Sequence, residues 1–173
     1  MKIKIFLFSI AALCSDCLLA QQDPILNWIG RYEGSMNIMS KRAKDDASIV
    51  LKQQLPVELL IAKTSDSNTL IWRMSYFSDN GRMDKDYRLI LPNDTLTKYL
   101  IDEQDGIRID SYFFNNCLTS CFQVEGLTIC DQYRKTENGI FMELYGGSIV
   151  QQTGVSSLQI EFVQSVELNR MKD

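Results

Sequence analysis

The chemistry open to this chain is defined first by a missing residue type, because none of its 173 residues is histidine. That removes Ser-His-Asp and Cys-His nucleophilic triads, histidine-bound zinc and histidine-ligated haem together. Carboxylate, lysine, tyrosine and cysteine chemistry remain. Of the five cysteines, Cys14 and Cys17 fall in an apolar leader, which leaves Cys117, Cys121 and Cys130. Three thiols without histidine make an incomplete zinc set, so the expected chemistry is a disulfide. Along an extended strand Cys117 and Cys121 would stand about 13 Å apart, at roughly 3.3 Å per residue, and could bridge only if the segment curled. A two-residue turn at Glu125-Gly126 sets Cys121 directly opposite Cys130 instead, in a non-hydrogen-bonded pair whose close Cα spacing suits a bridge. The sequence therefore predicts Cys121–Cys130 with Cys117 free, and Cys117–Cys121 as the runner-up.

A second group of candidates is apolar with polar handles. Trp28, Tyr32, Met36, Trp72, Met74, Tyr76, Tyr87, Leu89, Leu100, Phe113 and Met142 fall on the inward face of the strands described next. They either fill an interior or line a cavity for a ligand, and the tyrosines and methionines among them supply adaptable surface. A turn at Asn93-Asp94 would place Lys98 beside Leu89 and near Phe113, bringing an ammonium inside to meet a ligand carboxylate. A slip of one residue would turn Lys98 to solvent. Asp84, Asp86, Asp102, Glu103 and Asp105 cluster around turns without the Asp-x-Asp-x-Asp-Gly spacing of a calcium loop, and read as a solvated rim. No metal and no cofactor is expected.

The elements that must position these residues are strands. From Trp28 to Ile38, Trp28, Gly30, Tyr32, Gly34, Met36 and Ile38 share one face, while Arg31, Glu33, Ser35 and Asn37 share the other. The glycines between the aromatics let a neighbouring backbone or side chain approach closely. Residues 47–63 form a long β-rich run in which Pro56 marks a bend or an edge position. Asn80-Gly81 as a hairpin loop pairs Asp79 with Arg82, Met74 with Tyr87, Trp72 with Leu89 and Leu70 with Leu91, at the cost of Arg73 facing Arg88. Asp105-Gly106 sets Glu103 opposite Arg108. Asn138-Gly139 sets Arg134 opposite Glu143 and Tyr133 opposite Leu144. With a last alternating strand from Leu158 to Arg170, the sequence predicts an all-β, antiparallel up-and-down barrel of roughly eight to ten strands, closed so that no edge is left unpaired.

Residues 1–20 read as a cleaved signal peptide: Lys2 and Lys4, then an apolar run of about nine residues, too short to span a bilayer, then Leu18-Leu19-Ala20. Leu13 before Cys14 and Asp16 before Cys17 match a lipoprotein anchor poorly, so soluble export, periplasmic or extracellular, is the expectation, and membrane contact would follow only from lipidation. Residues 21–173 form one domain. The chain is 45% hydrophobic and 23% charged, which suits a folded protein. A net charge of −4 argues against nucleic acid as a partner.

The Trp28-Ile29-Gly30-Arg31-Tyr32 opening resembles that of the calycin group, the lipocalins and fatty-acid-binding proteins. Those begin strand one with Gly-x-Trp and pack the tryptophan beneath a basic residue of the final strand. Here Gly30-Arg31-Tyr32 holds the motif with tyrosine in place of tryptophan, Trp28 lies two residues earlier, and Arg170 stands where the basic partner would be. The resemblance implies a lipocalin-like cup for a small hydrophobic or amphiphilic ligand, without catalysis. The alternative is a packed barrel acting as an envelope protein-interaction or accessory module. An enzyme using carboxylates or tyrosines in the cup is a third reading.

Overall fold

The computed structural model describes residues 23–43, 46, 48–92 and 97–172. The leader with Cys14 and Cys17, and the Asn93-Asp94-Thr95 stretch of the expected turn, lie outside them. A short 3-10 helix, Pro24–Trp28, comes first. Ten strands follow: β1 Gly30–Lys41, β2 Ile49–Lys63, β3 Thr69–Ser78, β4 Gly81–Ile90, β5 Lys98–Asp102, β6 Arg108–Phe114, β7 Cys117–Val124, β8 Leu127–Lys135, β9 Gly139–Gln152 and β10 Val155–Arg170. Each is antiparallel to its neighbour, and β1 pairs with both β2 and β10, so the meander closes into a barrel. The all-β up-and-down reading holds, at ten strands. Among the described residues no helix is long and apolar enough to cross a membrane.

Trp28 is not the first residue of β1, as its alternation with Gly30 and Tyr32 suggests, but the last of the helix. Pro24 fixes φ at the first helical turn and the Asp23 carboxylate accepts the Ile25 N–H at 3.0 Å, so a tight turn is already set before the strand begins. Residues three apart eclipse in a 3-10 turn, which puts Ile25 and Trp28 on one side. Both are buried, and they close one end of the barrel. Trp28 packs 6.4 Å from Trp72 and 5.9 Å from Phe113, ring centre to ring centre, and Trp72 meets Tyr133 edge-on at 5.0 Å. Tyr32, Ile61, Leu70, Leu89, Leu118, Ile140 and Leu168 complete this core.

The glycines of β1 permit that packing. A side chain at Gly34 would run into the Glu167 carbonyl of β10, and one at Gly30 would meet the Arg170 guanidinium at 3.1 Å. Pro56 stays inside β2, paired with Ser35 on β1, where β2 has no partner on its other side: the β2–β3 ladder runs only from Val57–Tyr76 to Lys63–Leu70. It is an edge position, as its missing N–H requires.

Three hairpin registers differ from expectation. The β3–β4 loop is Asp79-Asn80, with Gly81 already paired to Ser78, so every pair slips by two: Trp72 faces Tyr87, Leu70 faces Leu89 and Met74 faces Lys85. Because the slip is even, each side chain keeps its face. It also resolves the Arg73–Arg88 conflict, since Arg73 instead faces Asp86 and bonds it at 2.5 Å. The β8–β9 hairpin slips the same way, with Tyr133 opposite Met142 and Arg134 opposite Phe141. Between β5 and β6 the slip is a single residue: Asp102, not Glu103, faces Arg108, and the two are ion-paired at 3.2 Å.

The ladders are uneven at the end opposite the helix. β4 and β5 share only the pairs Arg88–Asp102, Leu89–Ile101 and Ile90–Leu100. Along β4, Gly81 to Tyr87 therefore have β3 as their only ladder partner, and Phe77 and Ser78 have only β4, with the Gln104 side chain donating to the Asp86 carbonyl at 3.0 Å.

Candidate functional site

The barrel is solid at the helix end and hollow at the other. The hollow opens to a cup of about 650 Å³ walled by Ile38, Leu55, Tyr76, Met83, Tyr87 and Gln164, with Gln53 and Lys85 at its mouth. Tyr76 and Tyr87 come from adjacent strands of the hairpin, and their neighbours Met74 and Leu89 continue the same face into the packed core. Neither phenol makes a hydrogen bond among the described residues. Burial raises the Tyr76 hydroxyl above its ordinary value. Tyr87 is pushed well up, by burial first and then by the negative charges of Glu103 and Asp131 and the neighbouring Tyr76.

On the opposite wall β7 and β8 contribute the interior's most unusual group. Ser120 and Asp131 face each other on the inner side, in the ladder that also pairs Leu118 with Tyr133. The Asp131 carboxylate accepts the Ser120 N–H at 3.0 Å and a short bond from the Ser120 hydroxyl. Burial pushes this carboxyl up from its ordinary value, against the pull of both Ser120 bonds. Among the described residues no lysine or arginine pairs with it. Ser111 lies beside Ser120 on β6, wholly buried, and its hydroxyl has no partner. A ladder row leads from this group to the cup: Asp131 faces Leu144, Leu144 faces Gln164, Gln164 faces Ile38 and Ile38 faces Gln53. Glu103 is raised by burial and by Asp105, and lowered by Lys85.

The expected inward residues divide between the two halves. Trp28, Tyr32, Met36, Trp72, Met74, Leu89, Phe113 and Met142 are buried in the packed core, and only Tyr76 and Tyr87 line the cup. Lys98 does not face inward. The connection from β4 is longer than a two-residue turn, so Leu89 pairs with Ile101, and Lys98 lies outside in an ion pair with Asp110 at 2.9 Å. The same shift turns Leu100 outward and brings Tyr99 and Ile101 into the interior. Asp131, Ser120, Ser111, Gln53, Gln164 and Lys85 were not singled out from the sequence. The Cys121–Cys130 register already puts Ser120 opposite Asp131 on the face of Tyr133, so polar residues at inward positions were the available signal.

At the solid end Arg170 pairs with Tyr32 across β10 and β1. Its guanidinium sits 5.9 Å from the ring centre and donates to the Ile29 carbonyl at 2.8 Å. Lys135 covers the same ring at 5.0 Å and donates to the hydroxyl, which itself donates to the Trp28 carbonyl at 2.7 Å. The cysteines follow expectation: Cys121 and Cys130 are bridged, with Cα atoms 4.1 Å apart, and Cys117 is free and buried. Asn115-Asn116, both at positive φ, form the turn into β7, so the segment before Cys117 folds back as a hairpin. The chain matches no family model, and comparison with curated proteins finds no match to it.

Proposed function

We propose that this chain is an exported, non-enzymatic, lipocalin-like barrel that holds a small hydrophobic or amphiphilic molecule in its hollow half. The observation that carries the reading is the cup of about 650 Å³, with two unengaged tyrosine hydroxyls beside the apolar side chains of Ile38, Leu55 and Met83 and a polar mouth that includes Gln53 and Lys85. Small-molecule sites have this size and this pattern of sparse polar groups in an apolar lining. Ten strands make a wider bore than the eight of a lipocalin, which leaves room for the cup after one end has been filled. The calycin likeness draws support from Arg170 lying across the ring of Tyr32. Export draws support from the leader and from the disulfide, which persists in oxidising compartments.

Native mass spectrometry of protein purified from its own compartment tests this. A small molecule carried with the folded chain and lost on denaturation is the expected result. A bare chain that also takes up no amphiphile when offered one would sink the reading. The accessory-module reading is favoured by apolar residues at the open rim, Met83 and Val155 being 54% and 59% exposed. A second polypeptide travelling with the chain in the same spectrum would select it.

A further inference from the structure

Three hydrogen-bond donors meet on one wall of the cup with no acceptor among the described residues. Lys85 faces Met74 in the β3–β4 ladder, and Met74 is buried, so Lys85 starts from the inner face of β4. Tyr87 lies two residues along on that face, and Tyr76 stands diagonally across on β3, a separation that long side chains span. Among the described residues neither phenol makes a hydrogen bond, and Lys85 makes no hydrogen bond or ion pair. The carboxylates beside Lys85 are already taken, Asp84 by Arg82 at 2.7 Å and Asp86 by Arg73 at 2.5 Å. Arg82 also donates to the Ser75 hydroxyl at 3.2 Å, so its guanidinium is committed. Glu103, the acid that the Lys85 charge reaches, does not line the cup, and among the described residues no carboxylate does. Lys85 is exposed because β4 pairs with β5 only from Arg88 to Ile90. Its stem can therefore run along the cup wall while the ammonium stays in water.

We propose that the cup takes an amphiphile with an anionic, oxygen-rich head, held by Lys85, Tyr87 and Tyr76, whose tail crosses to Ile38 and Leu55. The inference rests on the ligand-binding reading and narrows it. An anionic oxygen accepts from phenol and ammonium donors in charge-assisted bonds, the stronger class of hydrogen bond. An uncharged head would use the same donors more weakly, and a cationic head would meet Lys85 with like charge. The path of the tail also bears on the fold. The β2–β3 ladder starts at Val57–Tyr76, so Leu55, and Ile38 on the next strand, have no ladder partner on the hairpin that carries Lys85. A bound chain would join β1 and β2 to that singly paired strand and steady it.

The test compares four probes of equal tail length, decanoate, decyl sulfate, 1-decanol and decyltrimethylammonium, by calorimetric titration of the intact protein below their micelle concentrations. An anion is expected to bind roughly tenfold more tightly than decanol, the worth of an exposed ion pair joined to a hydrogen bond with a charged group. The cation is expected to bind more weakly than decanol. Either anion leading the series supports the proposal, and the tighter of the two identifies the head. Lys85→Gln is expected to lower the ratio of anion to decanol affinity by about fivefold, and Tyr87→Phe to lower it while keeping the ring. Decanoate is also expected to slow amide exchange from Gly81 to Tyr87. Decanol or the cation binding as tightly as both anions, or a ratio that Lys85→Gln leaves alone, overturns the anionic head but keeps the cup. Tight anion binding with unchanged exchange on β4 overturns the bridging of the strands. Binding of none of the four overturns both this proposal and the ligand-binding reading.

Discussion

The two halves of this barrel use the same side-chain types to opposite ends. At the helix end two tyrosine hydroxyls are engaged: Tyr32 bonds the Trp28 carbonyl, and Tyr99 donates to Asp23 at 2.6 Å, which ties the helix cap to β5. Aromatic rings there meet one another at 5.0–6.4 Å. At the other end, among the described residues, Tyr76 and Tyr87 make no hydrogen bond, and the carboxyl of Asp131 has no counter-charge. Polar satisfaction, more than polarity itself, separates the half that holds the fold from the half free to receive something else.

Substitutions can break or sharpen that contrast. The largest expected effect is Trp72→Ala, which opens a cavity where Trp28 and Tyr133 converge and should cost about 3–5 kcal/mol in denaturant unfolding. Tyr87→Ala, beside an existing void, should cost about 1–2 kcal/mol. Equal losses would mean that the halves are energetically alike. Next comes the disulfide, which staples β7 to β8 on the outer wall of the hollow half. Breaking a bridge between residues nine apart in sequence should lower stability by about 2–3 kcal/mol, read by comparing Cys121→Ser/Cys130→Ser with wild type. Intact mass with and without reduction should show one bridge and one free thiol. Arg170→Met removes a bond to the Ile29 carbonyl and a cation from the Tyr32 ring, and should cost about 1–2 kcal/mol in the same measurement.

The smallest effect is one of sign. Asp131 is raised in the folded state by burial, so between the ordinary aspartate value and its folded value the native protein holds the extra proton. Stability therefore falls as pH rises through that window and is regained as pH falls toward the ordinary aspartate value. Asp131→Asn lacks this titration. Its stability relative to wild type should grow as pH rises across the window and level off above it, as followed by thermal melts over a pH series. A difference that shrank with rising pH would show that Asp131 is held charged by a partner.

Strand order and inward faces were legible in the sequence because alternation and closure leave few choices. Registers were legible only where a glycine falls inside the turn. At Glu125-Gly126 both turn residues have positive φ, the form a two-residue hairpin wants, and the disulfide pair followed from it. At Asn80-Gly81 and Asn138-Gly139 the glycine is instead the first residue of the next strand, and the pairing moved by two without turning any side chain over. Lys98 was lost because the β4–β5 connection slips by an odd number, which flips a face. The polar pair on the inner face of β7 and β8 escaped notice for a different reason. Asp131 and Ser120 break the apolar rule for inward positions, and alternation alone cannot separate such an exception from a strand that simply faces water.

The β3–β4 tip has a consequence for motion. Phe77, Ser78 and Gly81 to Tyr87 have a ladder partner on one side only, within the hairpin, while β9 and β10 are paired on both sides along most of their length. Amide protons of that hairpin should therefore exchange through a small local opening, and those of β9 only when the whole barrel comes apart. Since Met83 and Tyr87 ride on that singly paired strand, traffic through the cup can proceed while the rest of the molecule stays folded.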